Sequence, residues 1–234
     1  SPMFDAKKLL DQFLGSQVPG TTGSVKQKAG DAVQLAKDNP LATGAIVAVL
    51  LGTKTGRELA GGALKIGGLA AIAGLGYQAY KNYQAGKAPQ EVAASEPKLL
   101  PPPTDSPFSV EAPAASDDFA LILVRAMIAA AKSDGHIDDA ERARIMDKIQ
   151  LSGLGAEAQS FIEKELAAPT DIDALVRAAV SEEQKVELYT ASRLAIDPDS
   201  RAERGYLDLL AGRLGLADGL VDHIEVTVSA AAKI

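Results

Sequence analysis

The sequence predicts an all-α protein in two unlike parts, and three observations carry that prediction. Hydrophobic residues make up 47% of the 234 residues while aromatics make up 4%, with no tryptophan, a balance of Ala, Leu and Gly that suits closely packed helices better than sheets. Residues 117–234 show helical periodicity almost throughout. Charge divides sharply along the chain. Residues 1–88 carry ten Lys/Arg against five Asp/Glu, whereas residues 89–234 carry fourteen against twenty-six. An acidic second part favours cations or basic protein surfaces as partners and disfavours nucleic acid, while a basic first part suits anionic lipid. The absence of cysteine removes thiolate metal sites, iron–sulfur clusters, cysteine nucleophiles and disulfides together.

Taken in order, residues 1–39 form an amphipathic and then polar region. Ser1 and Pro2 read as an appended leader before Met3, where the natural chain is expected to start, with no cleavable signal peptide following. "MFDAKKLLDQFLG" puts Met3, Ala6, Leu10, Phe13 and Leu14 on one helical face. Such a helix suits a membrane interface or a seat on protein, and amphipathicity does not separate the two. Pro40 closes this region, since proline cannot continue a helix.

Residues 40–85 are glycine-rich and apolar. "LATGAIVAVLLG" (41–52) is uncharged but too short to span a bilayer, which takes roughly twenty residues. "LAGGALKIGGLAAIAGLGYQAY" (59–80) has the length but contains Lys65. Small residues stack at i, i+4 through Ala63, Gly67 and Ala71 and through Ala70 and Gly74, the spacing that lets helices approach closely. Glycine costs a water-exposed helix about 1 kcal/mol against alanine, so lipid or another helix is expected to cover this face. Tyr77, Tyr80 and Tyr83 beside Lys81 and Lys87 fit an aromatic and basic membrane-interface belt. Residues 86–116 are proline-rich with little periodicity and are expected to be an extended, mobile spacer.

Residues 117–234 divide at turn residues into seven amphipathic segments, predicting a helical bundle with Phe119, Leu123, Met127, Ile128, Ile145, Ile149, Leu175, Val186, Tyr189, Leu194, Leu207, Leu210 and Leu214 inside. "AAAKSDGHIDDAERARIMDKIQLSGL" lies over "ASRLAIDPDSRAERGYLDLLAGRLGL" with Glu141 matching Glu203, which indicates an internal duplication. In each half an apolar helix runs into an acidic turn. Asp134, Asp138 and Glu141 mark the first turn, and Asp197, Asp199 and Glu203 the second; these six carboxylates are the candidate metal site. Capping explains them too, because Asp138 and Ser200 stand at N-cap positions with Glu141 and Glu203 three residues on. Oxygen-only ligands would suit calcium or magnesium, although the spacing is not that of an EF-hand loop. His136 beside these acids reads as a turn residue.

"AAAKSDGHIDDAERARI" with "AIDPDSRAERGYL" resembles the TerB-like (tellurite-resistance) helical domain, and is most similar to the YebE-like branch of bacterial inner-membrane proteins, domain of unknown function family 533. The resemblance covers about 117–230, with the glycine-rich run and variable linker fitting the same branch. It implies an all-α TerB fold, an inner-membrane location, no established activity, and metal binding at Asp134, Asp138, Glu141, Asp197 and Glu203; the helical domain is then expected in the cytoplasm. The second half departs from the pattern at Ser200 and Pro198.

No catalytic constellation is present. Between Gly52 and Gly56 lie three residues where a phosphate loop needs four, and Arg57 follows. His136 and His223 form no HExxH pair, and no G-x-S-x-G elbow occurs. The sequence therefore predicts a non-enzymatic, membrane-associated binding, scaffold or sensing protein, touching lipid through residues 40–85, self-associating, and recruiting an unknown protein partner or a divalent cation. An envelope or metal-stress role follows from the resemblance alone. The alternative is a soluble cytoplasmic homo-oligomer assembled through the glycine-rich helices; a hydrolase using the acidic cluster is a third class.

Overall fold

The computed structural model describes residues 5–13, 68–94, 100–133, 139–150, 155–196, 198 and 200–232. Among them every regular element is a helix: α1 (Ala6–Phe13), α2 (Gly68–Gln84), α3 (Pro89–Ala94), α4 (Asp117–Ala131), α5 (Asp139–Gln150), α6 (Ala156–Ala167), α7 (Ile172–Ala178), α8 (Glu182–Leu194), α9 (Arg201–Leu214) and α10 (Asp218–Ala232). The seven predicted C-terminal segments correspond to α4 through α10.

Local chemistry sets the ends. Ser116 accepts the Phe119 N–H at the start of α4, and Asp171 accepts that of Ala174 at the start of α7. Ser181 and Gln184 form a reciprocal capping box on α8, satisfying two backbone donors the helix leaves open. Gly215, at φ 69°, closes α9 in the left-handed conformation that glycine adopts without strain.

The core is built around α4 and α8, which pack along one another. On one side α2 and α3 lie against α10, with α2 also against α8; on the other, α7 bridges α4 and α9, and α6 carries α5. Of the predicted core, Phe119, Leu123, Met127, Ile128, Leu175, Val186, Tyr189, Leu194, Leu207, Leu210 and Leu214 are buried. Ile145 is half-buried on the core's edge, and the Ile149 side chain lies outside the described residues.

α1 is seated on its own protein, over α4 and α2, with Ala6, Leu9 and Leu10 buried. The Lys7 N–H donates to Asp117 Oδ1 at 3.0 Å. Isolated helices below about 12 residues are marginal in water, so this eight-residue helix depends on its seat. Its two leucines contribute roughly 3–6 kcal/mol of burial.

The proline-rich stretch differs from expectation, while the described end of the glycine-rich run is covered by another helix, one of the two covers expected for it. No described helix is long and apolar enough to cross a membrane; residues 40–67 lie outside the described set. α2 is instead covered by the protein itself. An added Cβ on Gly74 would stand 2.2 Å from the Leu100 carbonyl oxygen, and one on Gly76 would stand 3.1 Å from Val186 Cγ1, so these glycines admit the crossing chain and α8. The described parts of 86–116 form α3 and a series of i to i+3 turns through Ser106, Ser109, Ala112 and Ala115. Phe108, 3% exposed, inserts between Tyr77 and Tyr80, with ring centroids at 6.0 and 5.6 Å. Gln184 Nε2 donates to Ala114 O at 2.9 Å. One buried aromatic and self-satisfying turns hold a segment whose composition reads as a spacer, and they take up two of the three tyrosines expected at a membrane interface. Tyr83 sets its edge on His223 instead.

Candidate functional site

Of the six predicted carboxylates, Asp134, Asp138, Asp197 and Asp199 lie outside the described residues, as does His136. Glu141 falls within α5, but its side chain is also outside them. Glu203 is placed. Ser200 Oγ accepts the Glu203 N–H at 3.1 Å and donates to Glu203 Oε1 at 3.0 Å. The expected reciprocal box is thus replaced by a carboxylate that binds the capping hydroxyl, and Ser200 still satisfies one open donor of α9. No group of three or more metal-ligating side chains occurs among the described residues.

The approach to the second acidic turn is held by a polar cluster that the sequence reading missed. Arg193, its side chain 8% exposed, donates from Nε to Glu225 Oε2 at 2.7 Å and from Nη1 to the Ile196 carbonyl at 3.2 Å. Tyr189 Oη donates to Glu225 Oε1 at 2.7 Å, and Arg204 Nη1 reaches the same oxygen at 3.5 Å. Burial first, then the Glu225 charge, raises the Tyr189 hydroxyl well above the usual phenol range, so it remains a donor. One carboxylate thereby ties α8, α9 and α10 together and fixes the carbonyl from which the turn departs. No local pattern pointed to this pairing, because Arg193 and Glu225 stand 32 residues apart.

A cavity of about 320 Å³ opens between α4, α6 and α7, floored by Ile128, Ala129 and Leu175 and rimmed by Arg125, Lys132 and Glu165. Glu203, the predicted acid whose side chain is described, does not line it. Its cations are committed to α6. Lys132 Nζ donates to the Glu165 carbonyl at 2.9 Å and to that of Ala168, where a helix C-terminus favours positive charge. Arg125 Nε binds Glu165 Oε1 at 3.0 Å over the Phe161 ring. Burial lowers the Lys132 pKa, with Glu165 acting in opposition.

Among the described residues, three buried side-chain polar atoms have no partner. Glu187 is 3% exposed and its Oε2 is unpaired; burial, helped by Glu183, pushes its carboxyl from 4.5 up to about 8. The Tyr206 hydroxyl is likewise unpaired, and burial pushes it up to about 12. His223, 2% exposed, contacts the Lys87 carbonyl through Nε2 at 2.7 Å and leaves Nδ1 unpaired. Gly86, at φ 74°, makes the turn that brings that carbonyl to α10.

These features define an all-helical protein in which Arg125, Lys132, Arg193 and Glu225 join helices to one another. The chain belongs to the family described as Protein of unknown function (DUF533), whose model matches residues 36–228. It is also similar to the "Uncharacterized protein in ampR 5'region" of Yersinia enterocolitica, 35% identical over 103 residues, which are 44% of this chain and 74% of that protein. No solved structure matches significantly.

Proposed function

We propose that this is a non-catalytic binding or scaffold protein that associates with the bacterial inner membrane through the apolar residues before α2 and presents its acidic, TerB-like helical domain in the cytoplasm. One observation carries the reading: α2, the end of the apolar stretch, is built into the helical domain through Gly74 and Gly76. A membrane-bound segment at 40–67 would then hold the acidic domain against the surface through a packed helix. The uncharged run 41–52 supplies the apolar contact, and the net positive charge of residues 1–88 favours anionic lipid. Binding is favoured over catalysis because Arg125, Lys132, Arg193 and Glu225 already serve structural partners.

Co-flotation of the full chain with anionic phospholipid vesicles tests this. The wild type is expected to rise with the lipid, and Val47→Asp with Leu50→Asp is expected to stay behind. A wild type that remains with the soluble fraction, monodisperse without detergent, overturns the reading in favour of a soluble homo-oligomer. The acidic turns are proposed to recruit a divalent cation or a basic protein surface. Calorimetric titration with Ca²⁺, Mg²⁺, Mn²⁺ and Zn²⁺, beside Asp134→Ala with Asp138→Ala, separates those two: saturable heat lost in the folded variant identifies a cation site, and no heat leaves a protein partner.

A further inference from the structure

Pro169 makes an opening in the bundle. Proline cannot continue α6, and the residue before it is driven out of helical backbone, as Ala168 is at φ −76° and ψ 150°. The chain then turns into α7 after Asp171, leaving between α4, α6 and α7 the cavity of about 320 Å³. That volume is near the lower end of the roughly 300–1,000 Å³ usual for small-molecule sites. Its floor of Ile128, Ala129 and Leu175 is buried and apolar.

The rim carries both signs of charge with capacity to spare. Lys132 spends two of its ammonium N–H groups on the carbonyls of Glu165 and Ala168. Among the described residues Arg125 spends Nε alone, on Glu165, and its guanidinium stands 5.5 Å from the centroid of the Phe161 ring, which leaves the outer N–H groups of a positioned fork. On the α7 side, Asp171 Oδ1 accepts the Ala174 N–H at 3.0 Å and its second oxygen is left for another partner. Burial lowers the Lys132 pKa, so an anion bound beside it would favour the charged form.

We propose that this cavity takes one free α-amino acid with an apolar side chain, its carboxylate on the spare N–H groups of Arg125 and Lys132, its ammonium on Asp171, and its side chain over Ile128, Ala129 and Leu175. An apolar floor alone would accept any hydrocarbon and a cationic rim alone any anion. A floor with both signs above it selects a zwitterion with an apolar body. Glu165, held against Arg125, sets a negative charge beside the anion position and disfavours multiply charged anions such as phosphate. The assignment goes beyond the membrane reading and does not depend on it, because every residue named lies outside 40–67.

Equilibrium dialysis of the full chain against radiolabelled leucine tests this, with the protein free or vesicle-bound. Saturable uptake of one leucine per chain is expected, displaced by unlabelled leucine or valine. Isovalerate, which lacks the ammonium, isoamylamine, which lacks the carboxylate, and glycine, which lacks the side chain, should compete poorly. Arg125→Gln should weaken binding about tenfold through loss of a charge-assisted contact. Ala174 is half-buried on the lining, so Ala174→Leu fills the cavity with the rim charges intact and should abolish uptake while unfolding stays cooperative. No saturable uptake overturns the proposal, as does uptake that both folded variants retain, which places the leucine elsewhere. Displacement by isovalerate as effective as by leucine overturns the amino-acid assignment.

Discussion

Glu187→Gln isolates the effect of a dry carboxyl on stability. The native carboxyl titrates at about 8 against an ordinary 4.5, with burial the main cause and Glu183 the second. At pH 7 the unfolded chain has released this proton and the folded chain retains it. The difference of roughly 2.5 units costs about 3 kcal/mol, each unit being about 1.4 kcal/mol. The sign follows from proton counting: between 4.5 and 8 the folded state binds more protons, so stability is greatest below about 4.5, falls as pH rises and levels off above about 8. Glutamine keeps the shape and cannot ionise. Its amide adds an unpartnered donor worth about 1–3 kcal/mol at every pH, so the informative quantity is the slope, not the offset. Urea unfolding at pH 5, 7 and 8.5 should show the wild type losing several kcal/mol relative to the variant across that range. Parallel pH profiles for the two proteins would refute the burial argument.

Gly74→Ala puts a Cβ 2.2 Å from the Leu100 carbonyl oxygen, and backbone must move to admit it. Overpacking of this kind costs about 1–3 kcal/mol, against a helix-propensity gain of up to about 1 kcal/mol, so a net loss of stability in urea is expected. Glu225→Ala leaves the Arg193 guanidinium buried without its carboxylate, and a loss of about 3–5 kcal/mol should appear in thermal and chemical unfolding. Ser200→Ala removes the cap of α9 and should cost about 0.5–2 kcal/mol. The same variant frees Glu203 from the serine hydroxyl; unchanged calorimetric heats with divalent cations would show that this contact does not compete with a ligand.

How much was legible in the sequence depended on the range of the interaction. Helix periodicity and capping are encoded within a turn or two, so the segments that became α4 through α10 and the caps at Ser116, Ser181 and Ser200 could be anticipated or read afterwards from adjacent residues. The candidate acids were visible as a repeated pattern, but Glu203 shows how a local pattern leaves the bond open: its carboxylate takes the serine hydroxyl instead of the backbone N–H. Glu187 was hidden because a glutamate in a run of charged residues reads as solvated, and only the packing of neighbouring helices on α8 removes the water.

By itself the sequence determined an all-helical protein, the division of charge between its parts and eleven of the thirteen core positions named for the C-terminal helices, because periodicity and capping act locally; the buried residues of α6 and α10, among them Ile162, Leu220 and Ile224, were not named. Tertiary structure decided which surfaces are covered. It placed α1 on α4, closed the glycine face of α2 with Leu100, Phe108 and Val186, drew the proline-rich stretch onto the core, and brought Arg193 to Glu225 and His223 to Lys87. Those contacts join residues tens of positions apart, and nothing in the composition or spacing of either partner specifies the other.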